Sequence, residues 1–170
     1  MTYTAHYDSP IGGITLASDG HALTGLWFDG QKHLAATLTN ESSEDSDLPV
    51  FEHTRKWLDL YFSGECPDFT PPLAPKGTPF QQKVWKLLLA IPYGKTVTYG
   101  EIAKHLVETF HETSLPKQHM SAQAIGGAVG RNPISLIIPC HRVIGANGSL
   151  TGYAGGLERK KYLLELEQGL

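Results

Sequence analysis

Polar and apolar residues alternate near the start of the chain, in three short runs at residues 3–7, 14–17 and 23–28. A period of two is typical of a strand that buries one of its faces. Pairs of turn-forming residues, SP, GG and DG, separate the runs. The pattern therefore predicts short antiparallel strands in a small sheet.

A helical period replaces the alternation from Phe51 to Phe62, and Ser63-Gly64 follows it. Glycine is favoured just after a helix, so this pair predicts the C-terminal end. One face of the predicted helix collects the bulky apolar residues Trp57, Leu58, Tyr61 and Phe62. We expect this helix to cover the sheet.

Two segments of the first half have no periodic pattern. Residues 40–47, NESSEDSD, are polar and acidic and predict a solvated loop. Residues 67–79 contain five prolines, which are incompatible with a regular helix or strand ladder and indicate an extended linker. We place a domain boundary near Pro75, between an N-terminal α/β structural domain (1–75) and a C-terminal domain (76–170).

Helical spacing dominates the second half. Thr78 is a predicted N-cap with Pro79 in the first turn, and the helix ends before the Pro-Tyr-Gly at residues 92–94. Thr98 and Glu101 have the spacing of a capping box for a second helix. A third helix is predicted from about Ser121 to Gly130.

The third helix has little side-chain bulk, SAQAIGGAVG, and each interior glycine costs about 1 kcal/mol relative to alanine. Two explanations stay open for Gly126 and Gly127: close packing on another helix, or close approach to a nucleic acid backbone. The second is consistent with three short helices in helix-turn-helix order. The predicted fold class is α+β: a small N-terminal antiparallel sheet with a covering helix, linked to a mainly helical C-terminal domain containing a helix-turn-helix.

Composition fits a globular protein, with 41% hydrophobic residues over 170 positions. The sequence shows neither a secretory leader nor a run of about 20 apolar residues, so we expect a cytoplasmic protein. Its two cysteines, Cys66 and Cys140, are far from a disulfide scaffold and are predicted to be free thiols.

Charge is distributed unevenly between the halves. Residues 1–75 hold 3 Lys+Arg against 11 Asp+Glu, a net charge of −8, whereas residues 76–170 hold 11 against 6, a net charge of +5. The basic half could meet a polyanion, although an acidic domain beside a basic one can also lack functional meaning.

The clearest chemical candidate is Cys140, in the motif PCHR. The apolar residues 136–138 predict a buried strand that ends beside it, and backbone N–H groups of a following helical turn would stabilise a thiolate. His141 could take the thiol proton through a turn or a bridging water, and Glu167 could orient the imidazole. A cysteine in apolar surroundings can equally be an inert core residue.

Two flanking segments favour the reactive interpretation. Asn132-Pro133 precedes the apolar run, and residues 151–157, TGYAGGL, form a glycine-rich loop whose single aromatic could line a flat pocket.

With these motifs the sequence resembles the O6-alkylguanine-DNA alkyltransferases, also called methylated-DNA–protein-cysteine methyltransferases. The strongest block is NPISLIIPCHRVIGANGSLTGYAGGLERKKYLLELE, at residues 132–167. SPIGGITLAS (9–18) and TPFQQKVWKLLLAIPYGKTVTYGEIA (78–103) extend the resemblance over nearly the whole chain.

The resemblance implies that Cys140 accepts the alkyl group, that His141 and a water remove its proton, and that Glu167 holds His141. Asn132 would be the hinge between the DNA-reading helix and the active-site segment. Tyr99 would push against the phosphate as the nucleotide flips and donate to guanine N3.

The resemblance also implies a base pocket and a DNA-binding surface. The backbone carbonyls of Cys140 and Val143 would accept from the exocyclic amine, the N–H of Ala154 would face O6, and Tyr153 would frame the base. The implied DNA-binding residues are Thr98, Tyr99, Ala122, Gln123, Gly126 and Arg131.

The implied reaction is irreversible transfer from O6-alkylguanine to Cys140, once per molecule, with O4-alkylthymine open as a second lesion. It requires neither a metal nor an organic cofactor, because a thiolate displaces the alkyl carbon directly. The implied partner is double-stranded DNA containing alkylated guanine. The protein is expected to bind it as a monomer and not to associate with a membrane.

Three departures from the family pattern stand out. Gln123 occupies the position of the arginine that relatives insert into the duplex, so we expect weaker DNA binding or slower repair. The connector at residues 107–120 is longer than usual and is predicted to contain an added loop. The histidines and cysteines lack metal-ligand spacing, so the amino-terminal zinc of some members is not expected.

Two other function classes compete with alkyl transfer. A non-catalytic module could bind alkylated bases and recruit repair proteins, but such relatives lack the acceptor cysteine. A cysteine hydrolase would use the Cys-His pair of the PCHR motif, but that function does not explain the basic second half or its helix-turn-helix order.

Overall fold

The computed structural model describes residues 1–31, 42–44, 47–110, 118–150 and 152–170, without the side chains of 42–44 and 118–122. Its first half contains one four-stranded sheet in the order β3-β2-β1-β4. Strands β1 (Thr2–Ser9), β2 (Gly12–Ser18) and β3 (Leu23–Phe28) are antiparallel, which confirms the three predicted strands.

The acidic segment at 40–47 was predicted to be a loop, and this is wrong in part. Residues Ser42–Glu44 form β4, which pairs in parallel with β1. The open edge of β1 offers backbone hydrogen bonds to any neighbouring chain, and a polar sequence can satisfy them without an apolar pattern. The remaining positions of that segment, apart from Asp47, lie outside the described residues.

Helix α1 (Pro49–Phe62) packs against the sheet as predicted. Alternate β2 residues Ile14 and Leu16 are fully buried, in register with Phe28 and Leu26 of β3. The helix supplies buried Phe51, Trp57, Leu58 and Tyr61 to the same core, while Phe62 is half-buried. Gly64 follows at a φ of 91°, in the left-handed region that favours glycine.

The proline-rich segment is extended, as predicted. Leu73 forms a single parallel bridge with Leu23 of β3, through backbone bonds of 2.8 Å from Leu23 N to Pro72 O and from Ala74 N to Leu23 O. The position of the domain boundary stays a prediction.

Three helices follow: α2 (Pro79–Leu89), α3 (Tyr99–Phe110) and α4 (Gln118–Gly130). Thr78 and Gln81 form a complete capping box at α2, and Thr98 Oγ1 accepts from the N–H of Glu101 at 3.1 Å. Helix α4 begins three residues before the predicted Ser121. Of the connector predicted at 107–120, residues 107–110 belong to α3 and 118–120 to α4, which corrects its bounds, and residues 111–117 lie outside the described residues. The three helices contact one another, and the helix-turn-helix stays a prediction.

The predicted strand at residues 136–138 is wrong. These residues form buried turns, with Leu136 at a φ of 70° and Ile138 N donating to Ile134 O. An apolar run shows burial but not strand geometry, and here the bonds of Leu26 to Pro133 and Ser135 bring the chain against β3 before it turns back.

Past these turns the chain forms a 3₁₀ helix at Cys140–Arg142 and then β6 (Val143–Ile144), which pairs in parallel with β5 (Val97–Thr98). The last element is α5 (Leu157–Gln168). In the described part of the chain, no helix has the length and apolar character needed to span a membrane.

Candidate active site

Cys140 is the first residue of the 3₁₀ helix and is only 5% exposed. Burial raises the pKa of its thiol. The Asn132 side chain, the Lys160 ammonium and the backbone amides of Cys140 and His141 act in the opposite direction. The site therefore holds a protonated thiol among groups that stabilise its ionised form.

Asn132 links the end of α4 to the turns that lead to the thiol. Its Nδ2 donates to Ile138 O at 2.8 Å, and its Oδ1 accepts from Ile134 N at 3.0 Å. The side chain is buried and thus closes the backbone of these turns in the way an Asx turn does. This geometry is what the hinge prediction requires.

His141 and Glu167 form a buried pair, with 2.6 Å between Nε2 and Oε2. The pKa of Glu167 is lowered to about 2, because hydrogen bonds from His141 and Arg142 outweigh the opposing effect of burial. An ionised carboxylate can only accept, so Nε2 of His141 must carry the proton. Burial also lowers the pKa of His141, which leaves a neutral ring whose Nδ1 is the basic nitrogen.

That basic nitrogen is buried and has no hydrogen-bond partner among the described residues. His141 follows Cys140 within a single turn of 3₁₀ helix, and Nδ1 makes no hydrogen bond to the thiol, so the predicted proton transfer stays a prediction. The ring therefore offers a free base on the side away from Glu167.

Glu167 collects donors from several elements. Arg142 Nε donates to Oε1 at 2.8 Å and its second amino group to Oε2 at 3.2 Å, while Gly94 N donates to Oε1 at 3.0 Å. The Tyr61 hydroxyl donates to Oε2 at 2.6 Å. The side chain of Glu167 is 1% exposed, so these bonds replace its hydration.

Lys160 is a second buried ionisable group on α5, two turns before Glu167. Its Nζ donates to the backbone carbonyl of Val143 at 2.6 Å. Burial lowers its pKa and the neighbouring Cys140 raises it. The ammonium is thus positioned to favour a thiolate at Cys140.

Of the predicted base-pocket residues, Tyr153 lies close enough to Cys140 for the two groups to affect each other's ionisation. Tyr153 is buried with its ring 6.4 Å from that of His141, and burial followed by the effect of Cys140 raises its pKa. Val143 is fully buried and Ala154 is half-buried. Tyr99 is the first residue of α3, and its hydroxyl lies 3.7 Å from where a Cβ would stand at Gly152.

The predicted DNA-binding residues lie at or beside α3 and α4. Thr98 is half-buried in β5, Gln123 and Arg131 are exposed, and Ala122 is in α4 with its side chain outside the described atoms. No described atom lies within 4 Å of a Cβ built at Gly126 or its neighbour Gly127. Close packing against the described residues therefore does not explain these glycines.

Cys66 is exposed and free, and Cys140 is free as well, as predicted. In the part of the chain described here, no three His, Cys, Asp or Glu side chains come together in a way that would hold a metal ion.

Two family models match this chain in sequence. Residues 2–75 match the ribonuclease-like domain of 6-O-methylguanine DNA methyltransferase, and residues 79–169 match its DNA-binding domain. The chain belongs to the 6-O-methylguanine DNA methyltransferase family.

Curated members of this family align with almost the whole chain. A methylated-DNA–protein-cysteine methyltransferase of Methanosarcina mazei is 48% identical over 94% of this chain and 93% of its own length. The methylated-DNA–protein-cysteine methyltransferase of Haemophilus influenzae is 42% identical over 98% of this chain and 86% of its own length.

Solved structures of the family share the fold. The O6-methylguanine methyltransferase of Mycobacterium tuberculosis superposes with a TM-score of 0.83 at 44% identity, covering 99% of this chain and 94% of that one. A complex of M. tuberculosis OGT with DNA gives a TM-score of 0.83 at 45% identity, covering 98% of this chain and 93% of that one. The α+β fold predicted for this family member is confirmed.

Sequence reasoning did not assign three polar groups of the site: Tyr61, Arg142 and Lys160. Lys160 could have been found, because it lies seven residues before Glu167 and so on the same face of a helix. Arg142 is part of the PCHR motif but carried no predicted role. Tyr61 has the same spacing as the apolar residues of its helix face, so the sequence pattern gave no sign that its hydroxyl has a polar partner.

Proposed function

We propose that this protein repairs DNA by transferring the alkyl group of O6-alkylguanine to its own Cys140, once per molecule and irreversibly. The observation that carries the proposal is the free Nδ1 of His141, a buried base whose opposite nitrogen is held by ionised Glu167 at 2.6 Å beside a buried thiol. This arrangement can generate a thiolate nucleophile at the buried site that we propose encloses the flipped guanine.

The first step is removal of the thiol proton. His141 Nδ1 accepts it, directly or through a water, and the resulting imidazolium is stabilised by Glu167. Lys160 and the local amides stabilise the thiolate that remains. Because burial opposes ionisation in the resting protein, the nucleophile is formed in the site rather than maintained in solvent.

The second step is displacement at the alkyl carbon. The sulfur lone pair forms a new S–C bond as the bond from carbon to guanine O6 breaks, and the electron pair passes into the purine. The Tyr99 hydroxyl donates a hydrogen bond to guanine N3 as negative charge develops on the purine, and the proton taken up by His141 returns through solvent to the departing base, which leaves as neutral guanine. A thioether has no easy route back to a thiol, so each molecule reacts once.

The base reaches this site after rotating out of the duplex. Tyr99 pushes on the phosphate, while Tyr153, Val143 and Ala154 frame the guanine. The carbonyl of Cys140 joins that of Val143 in accepting from the exocyclic amine. Asn132 couples this segment to α4, whose glycines, not packed closely against the described residues, leave the DNA backbone room to approach.

The partner in this proposal is double-stranded DNA carrying O6-alkylguanine, bound by a monomer in the cytoplasm. Thr98, Ala122, Gln123, Gly126 and Arg131 form the proposed DNA-binding face. A relative crystallised in complex with DNA and the name of the DNA-binding family model both support this assignment.

Intact-mass analysis tests the proposal. After incubation with a duplex containing O6-methylguanine, we expect a gain of one methyl group per protein and restoration of guanine in the DNA. A stable complex without a mass change would indicate a binding module. Repair that continues past one equivalent, or no reaction at all, would also contradict alkyl transfer to the protein.

Lys160→Met is expected to slow methyl transfer about tenfold, the equivalent of raising the thiol pKa by about one unit. Methionine keeps an unbranched side chain one atom shorter but removes the buried cation that favours the thiolate. The matched control is Lys161→Met, since Lys161 is exposed and pairs only loosely with Glu165 at 3.9 Å. Single-turnover rates that are equal for the two variants would contradict this role.

Gln123→Arg is expected to tighten binding to duplex DNA or to accelerate repair. Guanidinium adds a fixed charge and stronger stacking to an exposed position on α4. Binding and single-turnover rates at two salt concentrations measure the effect, which should be larger at low salt. Identical rates on duplex substrate would overturn the prediction.

A further inference from the structure

Tyr61 connects the N-terminal half of the chain to the proposed proton-transfer pair. It lies in α1, is fully buried, and donates its hydroxyl to Glu167 Oε2 at 2.6 Å. The same oxygen accepts from His141 Nε2, and the Tyr61 hydroxyl is 3.4 Å from that nitrogen. Together with Arg142, which donates at 3.2 Å, Tyr61 and His141 hold this carboxylate oxygen in place.

The ring of Tyr61 has little freedom to move. It stacks on Trp57 at 5.1 Å between centroids and meets Phe62, Tyr93 and His141 edge-on at 5.4, 6.1 and 6.3 Å. Aromatic packing on several sides holds the hydroxyl in place before any substrate arrives. Core packing alone would be served equally well by phenylalanine, so the hydroxyl requires its own explanation.

We propose that Tyr61 is a positioning residue through which the N-terminal half orients the Glu167–His141 pair. By holding Oε2, the hydroxyl keeps His141 Nε2–H directed at the carboxylate and leaves Nδ1 available to take the thiol proton. This inference rests on the proposed function and gives the sheet domain a direct part in it.

The hydroxyl is a donor to Glu167 here. Burial and the neighbouring carboxylate raise the pKa of Tyr61, so it stays protonated at all accessible pH values. The charged and titratable groups around the pair come from α1, the loop after α2, the 3₁₀ helix, the glycine-rich loop and α5: Tyr61, Tyr93, Cys140, Arg142, Tyr153 and Lys160. Tyr61 and Arg142 both donate to the oxygen that His141 contacts, and the Tyr61 bond, at 2.6 Å, is shorter than the 3.2 Å bond from Arg142.

Tyr61→Phe tests the role, with Tyr7→Phe as the matched control. The Tyr7 hydroxyl also donates to a carboxylate of α1, Asp59 Oδ1 at 2.6 Å, but at an exposed position away from the thiol. We expect Tyr61→Phe to lower the single-turnover rate at neutral pH about tenfold, as for a lost hydrogen bond to a charged group. The rate of Tyr7→Phe should stay within about twofold of wild type.

The pH dependence separates positioning from a structural defect. Without the tyrosine donor, more negative charge remains on Oε2, which stabilises the imidazolium and raises the pKa of His141. The acid limb of the pH–rate profile should therefore move to higher pH in Tyr61→Phe and not in Tyr7→Phe. A variant that was merely less stable would lose active protein without moving that limb.

Glu167→Gln completes the test, because Tyr61→Phe should have little further effect on the rate in that background. In wild type, the hydroxyl proton of Tyr61 should give a slowly exchanging downfield NMR signal that is lost in Glu167→Gln, a measurement that does not need Tyr61→Phe to fold. An unshifted acid limb, additive rate effects or absence of that signal would overturn the inference. Failure of wild type to accept a methyl group would instead overturn the proposed function.

Discussion

Cys140→Ala is expected to abolish methyl acceptance completely while leaving lesion-DNA binding in place. The variant lacks the only atom that can form the S–C bond in the proposed reaction, whereas the DNA-binding face on α4 is untouched. Alanine fits the small buried site and removes no charged partner. Intact mass after incubation with methylated duplex and a binding assay on the same duplex measure the two properties separately.

Cys66→Ala is the matched control, since Cys66 is the second thiol and is exposed. It should accept one methyl group at the wild-type rate. Residual acceptance by Cys140→Ala, or its loss in Cys66→Ala, would place the reactive sulfur elsewhere.

Glu167→Gln is expected to have the second largest effect, on both rate and stability. The amide leaves buried Arg142 without an ionised partner, which should cost about 3–5 kcal/mol in the free energy of unfolding. It also releases the His141 orientation, so we expect methyl transfer to slow about a hundredfold or more. Urea unfolding and single-turnover kinetics measure these effects.

The depressed pKa of Glu167 adds a pH signature. The unfolded carboxyl takes up a proton near its ordinary value of 4.5, but the folded one only near 2. Its stabilising contribution is therefore complete above about pH 4.5 and is lost as the pH falls toward 2, amounting to about 3 kcal/mol. Glu167→Gln should lose this part of the acid dependence.

Glu165→Gln is the control on the same helix, because Glu165 is exposed and its contact with Lys161 spans 3.9 Å. It should change stability by less than about 1 kcal/mol and leave the acid transition in place. If both variants unfolded alike in acid, the Glu167 network would not be the source of the effect.

Local signals in the sequence accounted for much of the fold. The alternation of residues 3–28, the Thr78 capping box and the apolar face of α1 each depend on neighbours within a few positions, so spacing alone predicts them. Residues 136–138 show where this reasoning fails. Burial and strand geometry coincide often, but here the turns are held by Asn132 and by bonds to β3 from distant sequence.

The site was predictable to the extent that its groups belong to one short motif. Cys140 and His141 are adjacent, and Glu167 ends the block of residues 132–167 that carries the family resemblance. The burial of the thiol and the Tyr61 hydroxyl bond depend on how the two halves pack, which no local spacing records. For the same reason, the sign of the shift in the Cys140 pKa required the structure.

The most direct test of the account is to follow an isotopically labelled methyl group from O6-methylguanine duplex into the protein and locate it by peptide mapping. We predict one label per molecule, on the sulfur of Cys140, even with the duplex in large excess. Label on another residue, or more than one lesion repaired per molecule, would contradict it.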